Sequence, residues 1–152
     1  MATLKPGDKA PEIKGMDQNG KPISLSDYKG KKVVLYFYPK NNTPGCTDQA
    51  CSLRDGYQDL QEHGYDIIGV SADTAKSHQG FIQKYNLPFR LIADTEKSVI
   101  QAYGAWGEKK MYGKSYEGII RSTFIISETG TIEKVIEKVK TLEHAKQILE
   151  QV

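Results

Sequence analysis

The sequence predicts an α/β fold with a mixed central sheet, and three features carry that expectation. Short apolar runs rich in β-branched and aromatic residues, such as 33–38, alternate with stretches whose apolar residues recur every three or four positions. Turn-forming groups separate them, among them Asn19-Gly20, Asn86-Leu87-Pro88 and Thr129-Gly130. Late in the chain two apolar runs follow each other across a short turn, which predicts an antiparallel pair beside parallel strands joined by helices.

Residues 1–10 read as an irregular leader. Ile13 on one side and Ile23 and Leu25 on the other flank Asp17-Gln18-Asn19-Gly20, and an Asn-Gly pair so placed predicts a small hairpin. Ser26-Asp27-Tyr28-Lys29-Gly30 reads as one short capped turn. The run 33–38 reads as a strand buried on both faces. Ala50, Leu53, Tyr57 and Leu60 then mark a single helix over 43–63, with Gly64 as its stop. A strand over 66–71 follows, and after it a helix over 74–85 with Phe81, Ile82 and Tyr85 on one face. Asn86-Leu87-Pro88 ends that helix.

Residues 89–93 read as a short strand, and Asp94 or Thr95 caps a helix carrying Val99, Ile100 and Tyr103 up to Gly104. Residues 105–120 hold the only tryptophan and several glycines and lysines, and read as a loop. The runs 123–126 and 131–136 flank Glu128-Thr129-Gly130 as a hairpin. Thr141 caps a last helix that buries Leu142, Ala145, Ile148 and Leu149. His78 and His144 fall in helical settings expected to be exposed, and His63 suits the dipole at a helix's last turn. The whole order, with its N-terminal hairpin, fits a thioredoxin-like sheet flanked by helices.

At 152 residues the chain reads as one domain over 1–152, large enough for a real core. Its 21 basic and 19 acidic residues are interspersed for a net charge of +2, which gives no electrostatic case for nucleic acid or membrane partners. No stretch has the apolar length of a signal peptide core or a membrane span. Two cysteines without a secretion signal point to a reducing, cytoplasmic setting, where a dithiol is more often catalytic than structural. Three scattered histidines and two cysteines lack paired ligand spacing, so no metal is expected. The lysines at 109–114 lack a glycine-rich phosphate motif, and no cofactor is expected either.

The chemistry centres on Pro39-Lys40-Asn41-Asn42-Thr43-Pro44-Gly45-Cys46-Thr47-Asp48-Gln49-Ala50-Cys51, between the buried strand and the helix. Thr43 suits the cap, Pro44 the first helical position, and Cys46 falls in the first turn. Free backbone N–H groups and the helix dipole there favour negative charge, so a cysteine in that place reacts as a thiolate. A cysteine taken at random is a small buried hydrophobe; the Pro, Thr and Gly around Cys46 argue instead for a shaped, partly open turn. Cys46 and Cys51 in an intact helix lie about 8.7 Å apart at Cα, beyond the roughly 7 Å reach of a disulfide. A bridge between them therefore requires the first turns to unwind.

Pro39-x-x-x-Thr43-x-x-Cys46 resembles the active-site motif of peroxiredoxins. Thr43-Pro44-Gly45-Cys46-Thr47, the cysteine five residues on, Arg54-Asp55, and the stretch from Trp106-Gly107-Glu108-Lys109 to Arg121-Ser122-Thr123-Phe124 resemble the bacterioferritin comigratory protein or peroxiredoxin Q branch. The likeness covers nearly the whole chain. It implies a thioredoxin-like fold and reduction of hydrogen peroxide and organic hydroperoxides by a peroxidatic Cys46. Cys51 then resolves the sulfenic acid as an intramolecular disulfide, which thioredoxin or a similar dithiol reopens. The same resemblance gives Arg121 the role of holding the thiolate and polarising the peroxide, against a plain reading as a solvated charge at a strand edge. Thr43 offers its hydroxyl to the peroxide as well as capping, and Pro39 shields the site from water as well as ending the strand. It also implies a monomer. Two other readings compete: a thioredoxin-like disulfide reductase, which would want Cys-x-x-Cys, and a non-catalytic redox-regulated binding module.

Overall fold

In the computed structural model, which describes residues 4–151, the strand-forming runs pair largely as their patterns demand. β1 (Lys14–Met16) and β2 (Pro22–Ser24) make the expected antiparallel hairpin. Residues 1–3 of the expected leader lie outside the described residues, and the rest of it is tied down. Gly7 and Ala10 donate their N–H groups to the carbonyls of Ile132 and Gly130 (both 2.8 Å). The turn expected at 26–30 begins earlier, as a 3-10 helix over Leu25–Tyr28, because the Asp27 carboxylate accepts the Ser24 N–H at 3.0 Å.

β3 (Lys32–Phe37) leads to α1 (Pro44–Asp55) and α2 (Tyr57–Glu62). The single helix expected over 43–63 is thus two. Gly56 breaks it, and a Cβ there would lie 2.4 Å from the Ala145 Cβ, so close packing of the C-terminal helix claims the space. Next come β4 (Tyr65–Ser71), α3 (Ala75–Tyr85), β5 (Arg90–Ala93) and α4 (Ser98–Ala102). Thr74 caps α3, accepting from the Ser77 N–H at 3.2 Å. Lys97 holds the cap position of α4, yet it is the Asp94 carboxylate that accepts the Ile100 N–H at 2.8 Å.

The loop expected over 105–120 is instead an antiparallel pair, β6 (Trp106–Met111) and β7 (Lys114–Ile119). Tyr112 and Gly113, both with positive φ (53° and 78°), close it as a two-residue turn. β8 (Ser122–Ile126) and β9 (Ile132–Ile136) form the expected hairpin. A 3-10 turn over Thr141–Glu143 precedes α5 (His144–Leu149), so Thr141 lies inside a turn and does not cap the helix. Leu142 is 74% exposed, against the expectation that it is buried, whereas Ala145 and Ile148 are buried as expected.

The central sheet has five strands in the order β5-β4-β3-β8-β9. β3 and β5 flank β4 in parallel, while β8 runs antiparallel to both β3 and β9. This is the mixed, thioredoxin-like arrangement. Both faces are covered: Val33, Leu35 and Phe37 pack with Val99, Ile100 and Phe124, and Val34, Tyr36 and Tyr38 pack with Ala50, Leu53, Phe81 and Ile148. Burial on both faces is why the strand reads as an unbroken apolar run.

The two histidines expected to be exposed are fully buried. His78 Nδ1 accepts from Asn41 Nδ2 (2.9 Å) and its Nε2–H donates to the Ile92 carbonyl (2.9 Å). His144 Nδ1–H donates to Gln147 Oε1 (2.9 Å) and Nε2 accepts from the Thr123 hydroxyl (2.8 Å). Both rings are satisfied as neutral imidazoles. Loss of solvation lowers the pKa of His78 and brings that of His144 down to about 4. The unfolded chain therefore takes up protons first as pH falls below about 6.5, and stability declines through that window before levelling off near pH 4. His144 alone is expected to remove about 2 kcal/mol by pH 5. Urea unfolding at neutral pH and near pH 5 checks this, and equal stabilities would show that the ring carries a proton in the fold.

Candidate active site

The site forms where β3 and β8, running in opposite directions, bring their ends together. Phe37 pairs with Ser122 in the sheet, so the chain leaving β3 and the residue entering β8 are neighbours. Pro39 follows β3 and is half-buried. Having no N–H, it ends the ladder after Tyr38, whose N–H still bonds the Val70 carbonyl at 3.1 Å.

Between Pro39 and α1 the loop is pinned from the side. The Asn41 N–H donates to Asp73 Oδ2 (2.9 Å), and its side chain accepts from the Tyr38 hydroxyl (2.7 Å) while donating to His78. Asn42 takes a left-handed conformation (φ 65°) that suits asparagine, and the chain then enters the helix. Thr43 holds the cap position and Pro44 the first helical one, as expected. The Thr43 hydroxyl, however, does not cap: it donates to the Lys40 carbonyl at 2.8 Å. Its lone pairs remain open as acceptors. The backbone ladder starts with Thr47 N–H to Thr43 O (2.9 Å), which leaves the N–H groups of Gly45 and Cys46 ahead of it.

Arg121 Nη2 donates to Cys46 Sγ at 3.2 Å. The other arm of the guanidinium, Nη1, donates to Gln49 Oε1. A planar fork held at both ends is fixed in direction as well as charge, and a cationic donor against a sulfur stabilises negative charge there. Arg121 is thus no solvated edge charge. The expectation of a partly open turn is corrected: Cys46 is only 1% exposed, because the helix start, the sheet and Arg121 close around it. Cys51 is half-buried on the same unbroken helix, and both thiols are free. The structure therefore brings Cys46 and Arg121 together and keeps Cys51 apart from them.

Four neighbours escaped the sequence reading. Gln49, fully buried, orients Arg121 from 72 residues away, and nothing local marks a glutamine for that task. Asn41 and His78 steady the loop. Lys109 Nζ reaches across the β6–β7 pair to the Ile119 carbonyl (2.9 Å). Desolvation, and after it the Arg121 charge, hold the Lys109 ammonium below the usual lysine range, while Cys46 acts in the opposite sense.

Comparison with known proteins decides what such a site belongs to. The AhpC/TSA family model matches residues 6–135, most of the chain. The chain belongs to the AhpC/TSA family. Within it the likeness is to the Bcp or Q branch. Peroxiredoxin Bcp of Bacillus subtilis (strain 168) is 45% identical over 148 residues, covering 97% of this chain and 94% of the relative. Among solved structures, a cysteine-to-serine mutant of Xylella fastidiosa PrxQ superposes with a TM-score of 0.92 at 32% identity, over 99% of this chain and 96% of that one. The bacterioferritin comigratory protein of Xanthomonas campestris, whose trapped intermediate and ligand complexes concern alkyl peroxide reduction, gives 0.85 at 34% identity, over 91% and 88%. The protein is a peroxiredoxin, an enzyme that reduces hydroperoxides with electrons from thiols. Among the described residues no helix is long and apolar enough to cross a membrane.

Proposed function

We propose that Cys46 is the peroxidatic residue and Cys51 the resolving one, acting on hydrogen peroxide and on alkyl hydroperoxides of the kind the Xanthomonas relative reduces. The contact that carries this reading is Arg121 Nη2 to Cys46 Sγ (3.2 Å), at a helix start that supplies further donors. The Cys46 thiolate attacks the terminal oxygen of R–O–OH. An S–O bond forms as the O–O bond breaks, and the departing alkoxide takes a proton and leaves as alcohol or water. Arg121 and the N–H groups of Gly45 and Cys46 stabilise charge developing on those oxygens. Thr43, its proton committed to Lys40, accepts the hydroperoxide O–H, and Pro39 walls off water. Peroxide enters past Thr43, Pro44 and Arg121, the exposed and half-exposed rim of the site.

Cys51 sulfur then attacks Cys46 sulfur, the S–O bond breaks and water leaves. Both thiols stand in one helix, so α1 unwinds for this step. Thioredoxin or a similar cytoplasmic dithiol reopens the bridge. We place the whole cycle in one domain, since Cys46, Cys51, Gln49 and Arg121 lie together in it, and propose that the protein acts as a monomer. Adding one equivalent of hydrogen peroxide to the reduced protein is expected to consume both thiols within seconds. Loss at the slow pace of an ordinary cysteine would favour the reductase or binding-module reading.

A further inference from the structure

Two side-chain polar atoms among the described residues are buried without a hydrogen-bond partner: the Tyr36 hydroxyl and Gln49 Nε2. Native interiors satisfy nearly all such atoms, and an orphan destabilises the state that buries it. Elsewhere this core obeys the rule, as the bonds of Tyr38, His78, Tyr103 and His144 show. The two exceptions share one location. Gln49 lies on α1, and Tyr36 packs beneath that helix with Cys46, Ala50 and Leu53. The electrostatic neighbours of its hydroxyl are Cys46, Arg121 and Cys51.

The Tyr36 ring is not free to seek a partner. It stacks on Tyr38 (centroids 5.3 Å apart) and meets Phe89 edge-on (6.1 Å). It also fills the space left by Gly69, where a Cβ would come within 2.9 Å of Cε1 and Cζ. A phenylalanine would fill the same slot without the buried oxygen. The unpaired hydroxyl thus sits under the one helix whose start must come apart for Cys51 to reach Cys46.

We propose that Tyr36, together with the free amide end of Gln49, is a positioning residue for the resolving step: its unpartnered hydroxyl disfavours the folded start of α1 and so eases the unwinding that brings Cys51 to Cys46. This rests on the assignment of Cys51 as the resolving thiol. Unwinding admits water to both orphans and supplies the hydrogen bonds they lack, and the penalty vanishes in the unwound state. The chemistry is that of the resolving step above, in which the S–S bond forms, the Cys46 S–O bond breaks and water leaves with the Cys51 proton. No further oxidant is needed, because the hydroperoxide has already been consumed.

Tyr36→Phe tests this with readouts of opposite sign. The variant's reduced form should melt a few degrees higher. Amide exchange over residues 47–52 and conversion of sulfenic acid to disulfide should both slow about tenfold. Sulfinic acid should accumulate at lower peroxide, as read by mass spectrometry. A lower melting point would overturn the proposal by showing that the hydroxyl has a partner, such as an enclosed water. Disulfide formation at the wild-type rate would overturn it too, and would leave the assignment of Cys51 standing. A wild-type protein that makes no Cys46–Cys51 bridge would instead remove that assignment, and this proposal with it.

Discussion

Arg121→Met is expected to slow the reaction of Cys46 with hydrogen peroxide by about 10²- to 10³-fold. The guanidinium bonds the sulfur through one arm and Gln49 through the other, so it is a positive fork fixed in direction beside the sulfur, and on the proposed mechanism it also meets the peroxide oxygen. Raising the thiolate fraction cannot account for peroxidase rates alone, since moving a thiol from about 8.5 to about 6 gains only about thirty-fold at neutral pH. Nucleophilicity falls with the same shift. The remainder must come from charge stabilised as the O–O bond breaks, and Arg121, in contact with the sulfur, is the cation we propose for it. Arg121→Lys keeps the charge but loses the second arm, and should fall between the methionine variant and the wild type. Stopped-flow oxidation of the reduced proteins under excess peroxide measures all three. An Arg121→Met rate within a fewfold of wild type would take the residue out of the chemistry.

Cys51→Ser is expected to leave that first oxidation within about twofold of wild type and to stop turnover through a dithiol reductant. The chain has only two cysteines, so no other thiol can take over. With Cys51 absent, Cys46 sulfenic acid persists and a second peroxide carries it to the sulfinic acid, which common thiols do not reverse. A coupled assay with thioredoxin, followed by mass spectrometry of Cys46, gives both numbers. Undiminished steady-state turnover would show that the external reductant attacks Cys46 directly.

What the residues revealed in advance was local. The central strand, the helix entry at Thr43-Pro44 and the hairpin turns are written in neighbouring residues: periodicity, a proline in the first turn, Asn-Gly and Thr-Gly pairs. What stayed hidden depends on distant partners. The break at Gly56 comes from Ala145, and the buried settings of His78 and His144 come from Asn41 and Thr123. Gln49 has meaning only beside Arg121. The β6–β7 pair escaped because most of its residues are exposed, so it shows no alternation of apolar and polar positions to read. Leu142 had the spacing of a core residue, but a 3-10 turn rotated it outward.

The antiparallel seam between β3 and β8 has an implication for biogenesis. Tyr36 opposite Thr123 and Phe37 opposite Ser122 set how far along the seam the arginine emerges. A slip by two residues would keep the same side chains facing inward, yet shift Arg121 about 7 Å along the strand and break its contact with the sulfur. Such a molecule could be compact and soluble and still be inert. With Arg121 in the role proposed for it, fidelity of strand alignment during maturation is itself a condition of antioxidant capacity, and specific activity reports on it where secondary-structure content does not.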